Sequence, residues 1–255
     1  MLLAVAASGL VGAGQRWRKR RRGRGQLGAP GLAGLTLLLV AGVVGVVLLA
    51  DGAGSTPDAT EAIARAPTGS ALAALQGVPV KGRAPKTGYS RGKFGEAWAD
   101  VDHNGCDTRD DVLRRDLTGI QTRSGTRGCV VVAGMLAGPY TGKRIQFSKS
   151  AAAKVQIDHV VALSDAWQTG AQGWSDTTRL EFANDPLELL AVDGTANQDK
   201  GDGDTATWLP SQKSFRCAYV SRQVAVKLRY HLWVTPAERD AMAGVLQKCP
   251  DEQLP

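Results

Sequence analysis

Histidine is scarce in this sequence: 255 residues include three, with four cysteines and three methionines. No two cysteines stand as C-x-x-C, which argues against a zinc knuckle. Ser164 and Ser211 lack any nucleophile-elbow context, which argues against serine-hydrolase chemistry. No internal repeat is present. Charge is missing altogether from Gln26 to Ala50, and Leu32 to Leu49 is almost wholly Leu, Val, Ala and Gly. About 20 apolar residues suffice to cross a bilayer core, so this run does not belong to a soluble core.

Just before it, Arg16-Trp-Arg-Lys-Arg-Arg-Arg-Gly-Arg24 packs seven positive charges into nine residues. Basic flanks stay on the cytoplasmic side. Residues 1–25 therefore read as a basic cytoplasmic segment and 26–50 as one transmembrane signal-anchor helix, with everything after Asp51 outside the cell membrane. A cleaved signal peptide, releasing the domain, is the alternative. Against it, the apolar run exceeds a usual signal core, and no small-x-small cleavage site stands beside Asp51. Met1 to Gly14 is apolar but too short to span and is given no role.

The net charge of +7 suggests nucleic acid, but the basic run alone supplies seven of the 31 Lys and Arg. The 24 that remain balance the 24 Asp and Glu, all of which follow residue 50. Net charge thus reports topology, and any phosphate-binding patch on the outer domain must be local. Cys106, Cys129, Cys217 and Cys249 all fall in the outward portion. An even count in an oxidising compartment suggests two disulfides. Of three pairings, proximity favours Cys106–Cys129 and Cys217–Cys249.

Residues 51–85, rich in Ala, Gly, Thr and Pro, read as a flexible linker with short helices at Ala59–Ala66 and Ser70–Gln76. Residues 86–255 read as the folded domain. Helix is expected at Thr108–Leu117, Asp165–Gly170, Thr177–Phe182 and Ser221–Leu232. Strands are expected at Val130–Leu136, Lys154–Leu163 and Leu187–Val192. Thr235-Pro-Ala-Glu238 is a capping box with proline at the first helical position, opening a helix to about Gln247. The class is α+β.

Three segments carry chemistry. In Val155-Gln-Ile-Asp158-His159-Val-Val-Ala-Leu163 an Asp-His pair interrupts an apolar, β-branched stretch, where unpartnered polar groups are costly. Adjacent strand residues face opposite ways, so the strand must end or bend there for both to meet one ligand. The other two are Phe182-Ala-Asn184-Asp-Pro-Leu-Glu-Leu-Leu190 and Asp193-Gly-Thr-Ala-Asn197-Gln-Asp-Lys200-Gly-Asp202. Alone, each asparagine is most simply a turn or cap residue. In this order they describe a β-hairpin crossed by a helix, a ββα unit.

These segments, with Asn104-Gly-Cys-Asp-Thr-Arg-Asp-Asp-Val-Leu-Arg-Arg-Asp-Leu117 and Trp208-Leu-Pro210, resemble the HNH (His-Me finger) endonucleases. The resemblance is to the branch of the C-terminal domain of GmrSD-type restriction endonucleases and spans roughly Tyr89 to Cys249. It implies a ββα-metal core with additional helices. It also implies hydrolysis of phosphodiester bonds in nucleic acid, DNA foremost, with one Mg²⁺ or Mn²⁺. By position, His159 matches the general base and Asp158 the metal-binding carboxylate. Asn197 matches the closing metal ligand and Asn184 the bracing asparagine, while Lys200 sits where a basic residue could reach the scissile phosphate. The family often has Pro where Ala162 stands, which bears on how the chain leaves the strand.

Asp100-Val-Asp102-His-Asn104-Gly-Cys-Asp-Thr-Arg-Asp-Asp111 follows a calcium-loop spacing. Position twelve is Asp rather than Glu, which weakens a structural Ca²⁺ site. Alternatively the stretch lies beside the active site, with Arg109 on phosphate, or simply caps the helix that follows. His103 and His231 read as structural; Trp98, Trp167, Trp174, Trp208 and Trp233 could stack on bases, but tryptophan in a small domain is usually core. Beside the exported endonuclease stand two other readings. One is a catalytically silent surface module binding nucleic acid or a cell-wall component, and the other is a structural anchor protein.

Overall fold

The computed structural model describes residues 58–255. The basic segment and the expected membrane helix, 1–25 and 26–50, lie outside the described residues. Among the described residues no helix is long and apolar enough to cross a membrane.

The described residues are α+β, with two small antiparallel sheets and several helices among them. Helices α1 (Ala59–Ala64) and α2 (Ala71–Ala74) fall in the stretch expected to be a flexible linker, and from Asp58 onward that expectation is corrected. Ile63, Leu72, Leu75 and Val78 are buried in the main core. The Ala71 N–H donates to the Glu252 carbonyl at 2.7 Å, and Val80 bridges to Val234. The physical reason is helical spacing: Ala59, Ala62 and Ile63 share one face, so an Ala-rich sequence that resembles a spacer has a stripe to bury.

Helix α3 (Thr108–Asp116) is capped by Asp107, whose carboxylate accepts from the Asp110 N–H at 2.7 Å. It leads into a three-stranded sheet of β1 (Leu117–Thr122), β2 (Val131–Ala137) and β3 (Arg144–Ser148), with β2 central. Only β2 is legible in the sequence. Beyond Leu117, β1 is exposed and carries Gly119 at φ +58°, and β3 fully buries only Phe147. Neither shows the alternation that a half-buried strand would.

The second sheet pairs β4 (Val155–His159) with β5 (Leu189–Asp193), Asp158 opposite Leu190 and His159 opposite Leu189. The pair is no tight hairpin, because α4 (Leu163–Gln168) and α5 (Asp176–Ala183) intervene. Helix α6 (Gly194–Lys200) follows β5 with no loop. Asp193 ends the strand and caps the helix, accepting from the N–H groups of Thr195 (2.9 Å) and Ala196 (3.0 Å). Gly194 permits this turn, since a Cβ there would lie 2.0 Å from the Ala153 carbonyl oxygen. Helices α7 (Arg216–Arg229) and α8 (Pro236–Leu246) complete the domain, with Thr235 capping α8 at the Glu238 N–H, 3.1 Å.

Strand alternation places the β4–β5 pair between two cores. Val155, Ile157, Leu189 and Ala191 pack with Val112, Leu113 and Phe147 of the α3 and three-stranded side. Leu190 and Val192 pack with Phe182, Val224 and Met242 on the helical side. Each fully buried large apolar side chain contributes about 1.5–3 kcal/mol, so the strands that carry the site are anchored from both faces. Arg115 adds bonds to the Pro186 and Leu189 carbonyls, each 2.7 Å, and Asp116 accepts from the Ala191 N–H at 2.8 Å. The disulfides are Cys106–Cys129 and Cys217–Cys249, the pairing that proximity favours.

A buried ionic network sits apart from the β4–β5 end. Asp165, Asp204 and Glu238 bring one carboxylate oxygen each within 4.8 Å of one another. Lys227 lies 3.2 Å from Asp165 and 2.9 Å from Glu238, while Arg83 lies 2.9 Å from Asp165 and 2.7 Å from Asp204. Two resident cations thus neutralise most of the cluster. Burial pushes the Glu238 carboxyl up to about 7, against the opposing pull of Lys227.

Candidate active site

Strand β4 stops at His159, so Asp158 and His159, which would face opposite ways within a strand, both line the cleft that wraps its end. The chain then turns. The Val160 N–H donates to the Glu188 carbonyl (2.9 Å), and the Val161 N–H donates to both Glu188 carboxylate oxygens (3.1 and 3.2 Å). Ala162 takes φ −51° and ψ 139° at the entry to α4. Those angles lie within proline's range, so the strand exit keeps a proline-compatible form.

His159 is buried, and its Nε2 lies 2.9 Å from the Ala183 carbonyl oxygen. A carbonyl only accepts, so Nε2 carries the proton and Nδ1 keeps a free lone pair. Burial, reinforced by the positive charges of Arg91 and Lys200, lowers the imidazole pKa to about 3 against the opposing bond to Ala183. The ring is therefore neutral at physiological pH. Trp98 lies almost parallel to it, centroids 6.3 Å apart and planes 23° apart.

Helix α6 crosses the Gln156–Asp158 face of β4. Asn197 and Lys200, one turn apart, share a helix face and meet Gln156 and Asp158, two apart on the strand. The Asn197 Nδ2 donates to Gln156 Oε1 at 2.9 Å, leaving Asn197 Oδ1 without a protein donor. The Lys200 ammonium donates to both Asp158 oxygens (2.9 and 2.8 Å) and to the His159 carbonyl (2.6 Å). Tyr140 donates its hydroxyl to Asp158 Oδ2. Burial and then the Asp158 charge hold that phenol well above its ordinary pKa, so it remains a donor. Asp158 Oδ1 accepts from Lys200 alone and retains one lone pair.

The cleft encloses about 520 Å³, and Asp158, His159 and Asn197 line it together with Lys86, Arg91 and Arg109. Arg109 sits on its wall with its guanidinium 5.7 Å from the Phe147 ring centroid. One expectation changes. Lys200 does not face the cleft: its side chain is 0% exposed and its ammonium is committed to Asp158 and the strand end. Among the described residues, the cleft-lining cations without a carboxylate partner are Arg91 and Arg109; Lys86 also lines the cleft but pairs with Asp202 at 2.8 Å. Asn184 likewise stands behind the cleft as the C-cap of α5, fully buried, with its amide donating to the Glu96 (3.3 Å) and Leu180 (3.0 Å) carbonyls. It braces the segment whose neighbour, Ala183, holds the imidazole, and touches nothing in the cleft.

The calcium-spaced loop is turned inward. Asp100 accepts from the Asn104 and Gly105 N–H groups, and the Asn104 amide donates to Asp102 and Asp111, all between 2.8 and 3.0 Å. Arg114 takes the other Asp111 oxygen at 2.8 Å. Its carboxylates are satisfied by the protein itself. Sequence reasoning missed Tyr140, Gln156, Glu188, Lys86 and Arg91, while Trp98, read as core, packs against the core on the α3 side and also lines the cleft. Of these only Gln156 had a visible signal, two residues before Asp158 on the same strand face.

An Asp-His strand end crossed by an Asn- and Lys-bearing helix defines the class. The family described as GmrSD restriction endonucleases, C-terminal domain, matches residues 107–245, and the chain belongs to it. The family is a nuclease one. An "uncharacterized secreted protein" of Arthroderma benhamiae is 40% identical over 177 residues, covering 69% of this chain and 82% of that protein. No solved structure matches the chain.

Proposed function

We propose that the protein is an exported, metal-dependent endonuclease that hydrolyses phosphodiester bonds, in DNA foremost, with residues 26–50 holding it at the outer face of the cell membrane. The observation that carries this reading is the setting of His159: its ring lines a cleft that also carries Arg91 and Arg109, and Nε2 lies 2.9 Å from the Ala183 carbonyl, which favours the tautomer that leaves Nδ1 unprotonated. His159 Nδ1 takes a proton from the attacking water, the water oxygen bonds to phosphorus, and the ester oxygen leaves. Arg91 and Arg109 attract and orient the phosphate, with Lys86, paired to Asp202, beside them. Family membership and the secreted relative support nuclease chemistry and export, as do two disulfides.

The donor set fits one hard divalent cation. Asp158 Oδ1 has a spare lone pair and Asn197 Oδ1 has no protein donor, and oxygen ligands suit Mg²⁺ or Mn²⁺ with water completing the shell. When bound, such an ion supplies charge stabilisation at the phosphoryl and leaving oxygens. One observation favours the other reading, a catalytically silent nucleic-acid-binding module: Lys200 already neutralises Asp158. Plasmid nicking with Mg²⁺, Mn²⁺ or EDTA separates the two. Metal-dependent conversion of supercoiled to open-circular DNA is expected, and retention of both supercoiled plasmid and a single-stranded oligonucleotide intact under every condition would leave only the silent module.

A further inference from the structure

Beside the cleft, and sharing His159, Trp98, Arg91 and Leu163 with it, lies a second cavity of about 260 Å³. Phe94 and Ala183 complete its apolar walls. This is somewhat below the roughly 300–1,000 Å³ of pockets for drug-sized ligands, a size that suits one ring system. Trp98 lines both spaces. It is half-buried and sits at φ +64°, a region that bulky side chains rarely adopt. Such strain persists only where surrounding structure fixes it, and it clusters at ligand clamps.

We propose that this cavity is a nucleobase subsite that accepts the unpaired base of a nucleotide flanking the scissile phosphate. The inference rests on the nuclease reading of the adjoining cleft. A phosphodiester at His159 brings its neighbouring base to Trp98, and Arg91, which lines both spaces, complements the phosphate that tethers it. Trp98 offers a flat aromatic surface, and base–aromatic stacking is tolerant of sequence. A base in a Watson–Crick duplex is held in its stack and must be extruded to enter. The preferred substrate is therefore single-stranded or locally unpaired.

The test is a single-stranded oligothymidylate in which one nucleotide at a time is replaced by an abasic residue, with cleavage products mapped on a denaturing gel. Stacking of this kind is worth about tenfold. Cleavage at the phosphate on one side of the abasic residue should fall by about that factor, while the other phosphates of the same strand are cut normally. The fully paired duplex should be cut at least about tenfold more slowly than the single strand. Uniform cutting past the abasic residue, or equal rates on duplex and single strand, would overturn the subsite. If no strand is cut anywhere, the nuclease reading fails, and binding decides the subsite separately. Saturation-transfer NMR with thymidine 5′-monophosphate should then show transfer to the base proton in the wild-type protein, reduced by Ala97→Phe, which narrows the pocket. No transfer to the base would refute it.

Discussion

Replacing Lys200 with methionine distinguishes a brace from a phosphate contact. Its ammonium is fully buried and donates to both Asp158 oxygens and the His159 carbonyl. Methionine keeps the length and removes all three bonds, leaving the Asp158 carboxylate with only the Tyr140 hydroxyl. Breaking a buried pair by removing one partner costs about 3–5 kcal/mol. For a domain of about 200 residues each kcal/mol is about 2–4 °C of melting temperature, so Lys200→Met should melt roughly 6–20 °C below wild type. Circular dichroism melts at neutral pH measure this. Adding Asp158→Asn should recover part of the loss, because the uncompensated charge is what costs most. A residue that merely awaited phosphate would lower cleavage without touching the melt. A variant melting within about 2 °C of wild type would refute the brace.

Four further outcomes follow. His159→Ala should fold, with loss of cleavage, as circular dichroism and plasmid nicking would show; retained metal-dependent cleavage would remove His159 from the mechanism. Because the imidazole is held neutral to about 3, protonation of His159 removes the base only near that pH. Cleavage at fixed metal should therefore not fall through the ordinary midpoint of 6.5 between pH 8 and 5, and a titration centred there would contradict the burial argument. Glu238 has its folded pKa raised to about 7 from 4.5, so its contribution to stability is present below the lower value and lost as pH rises through the upper. The melting temperature of Glu238→Gln relative to wild type should accordingly rise between pH 5 and 9, and a fall would reverse the sign. Ala162→Pro should stabilise by about 0.4–1 kcal/mol, read as a higher melting temperature, since the backbone already holds proline's φ; a lower one would show that the strand exit cannot take the ring.

What was legible in the sequence tracks how strongly each residue's neighbours in the chain constrain it. Thr235-Pro236 and Glu238 announce α8 because a cap is satisfied within four residues. The order Asp158, His159, Asn184, Asn197 announces a ββα arrangement because strand and helix periods fix which side chains can meet. Lys200 was misjudged because its partner, Asp158, is 42 positions away, and a sequence gives no measure of burial. Tyr140 follows a Gly-Pro stop and acquires meaning only when β2 brings it beneath Asp158. The Asp58–Pro85 stretch misled for the opposite reason: alanine serves a spacer and a tightly packed helix equally well, and only the Glu252 and Val234 backbones it meets distinguish the two.

The proposed hydrolysis requires one divalent ion held between the Asp158 carboxylate and the Asn197 amide oxygen, next to the His159 imidazole. Anomalous scattering from a crystal soaked in Mn²⁺ measures that directly. A single peak within coordination distance of Asp158 and Asn197 is the predicted result. An empty cleft at saturating Mn²⁺, with Lys200 still closed on both Asp158 oxygens, would contradict it.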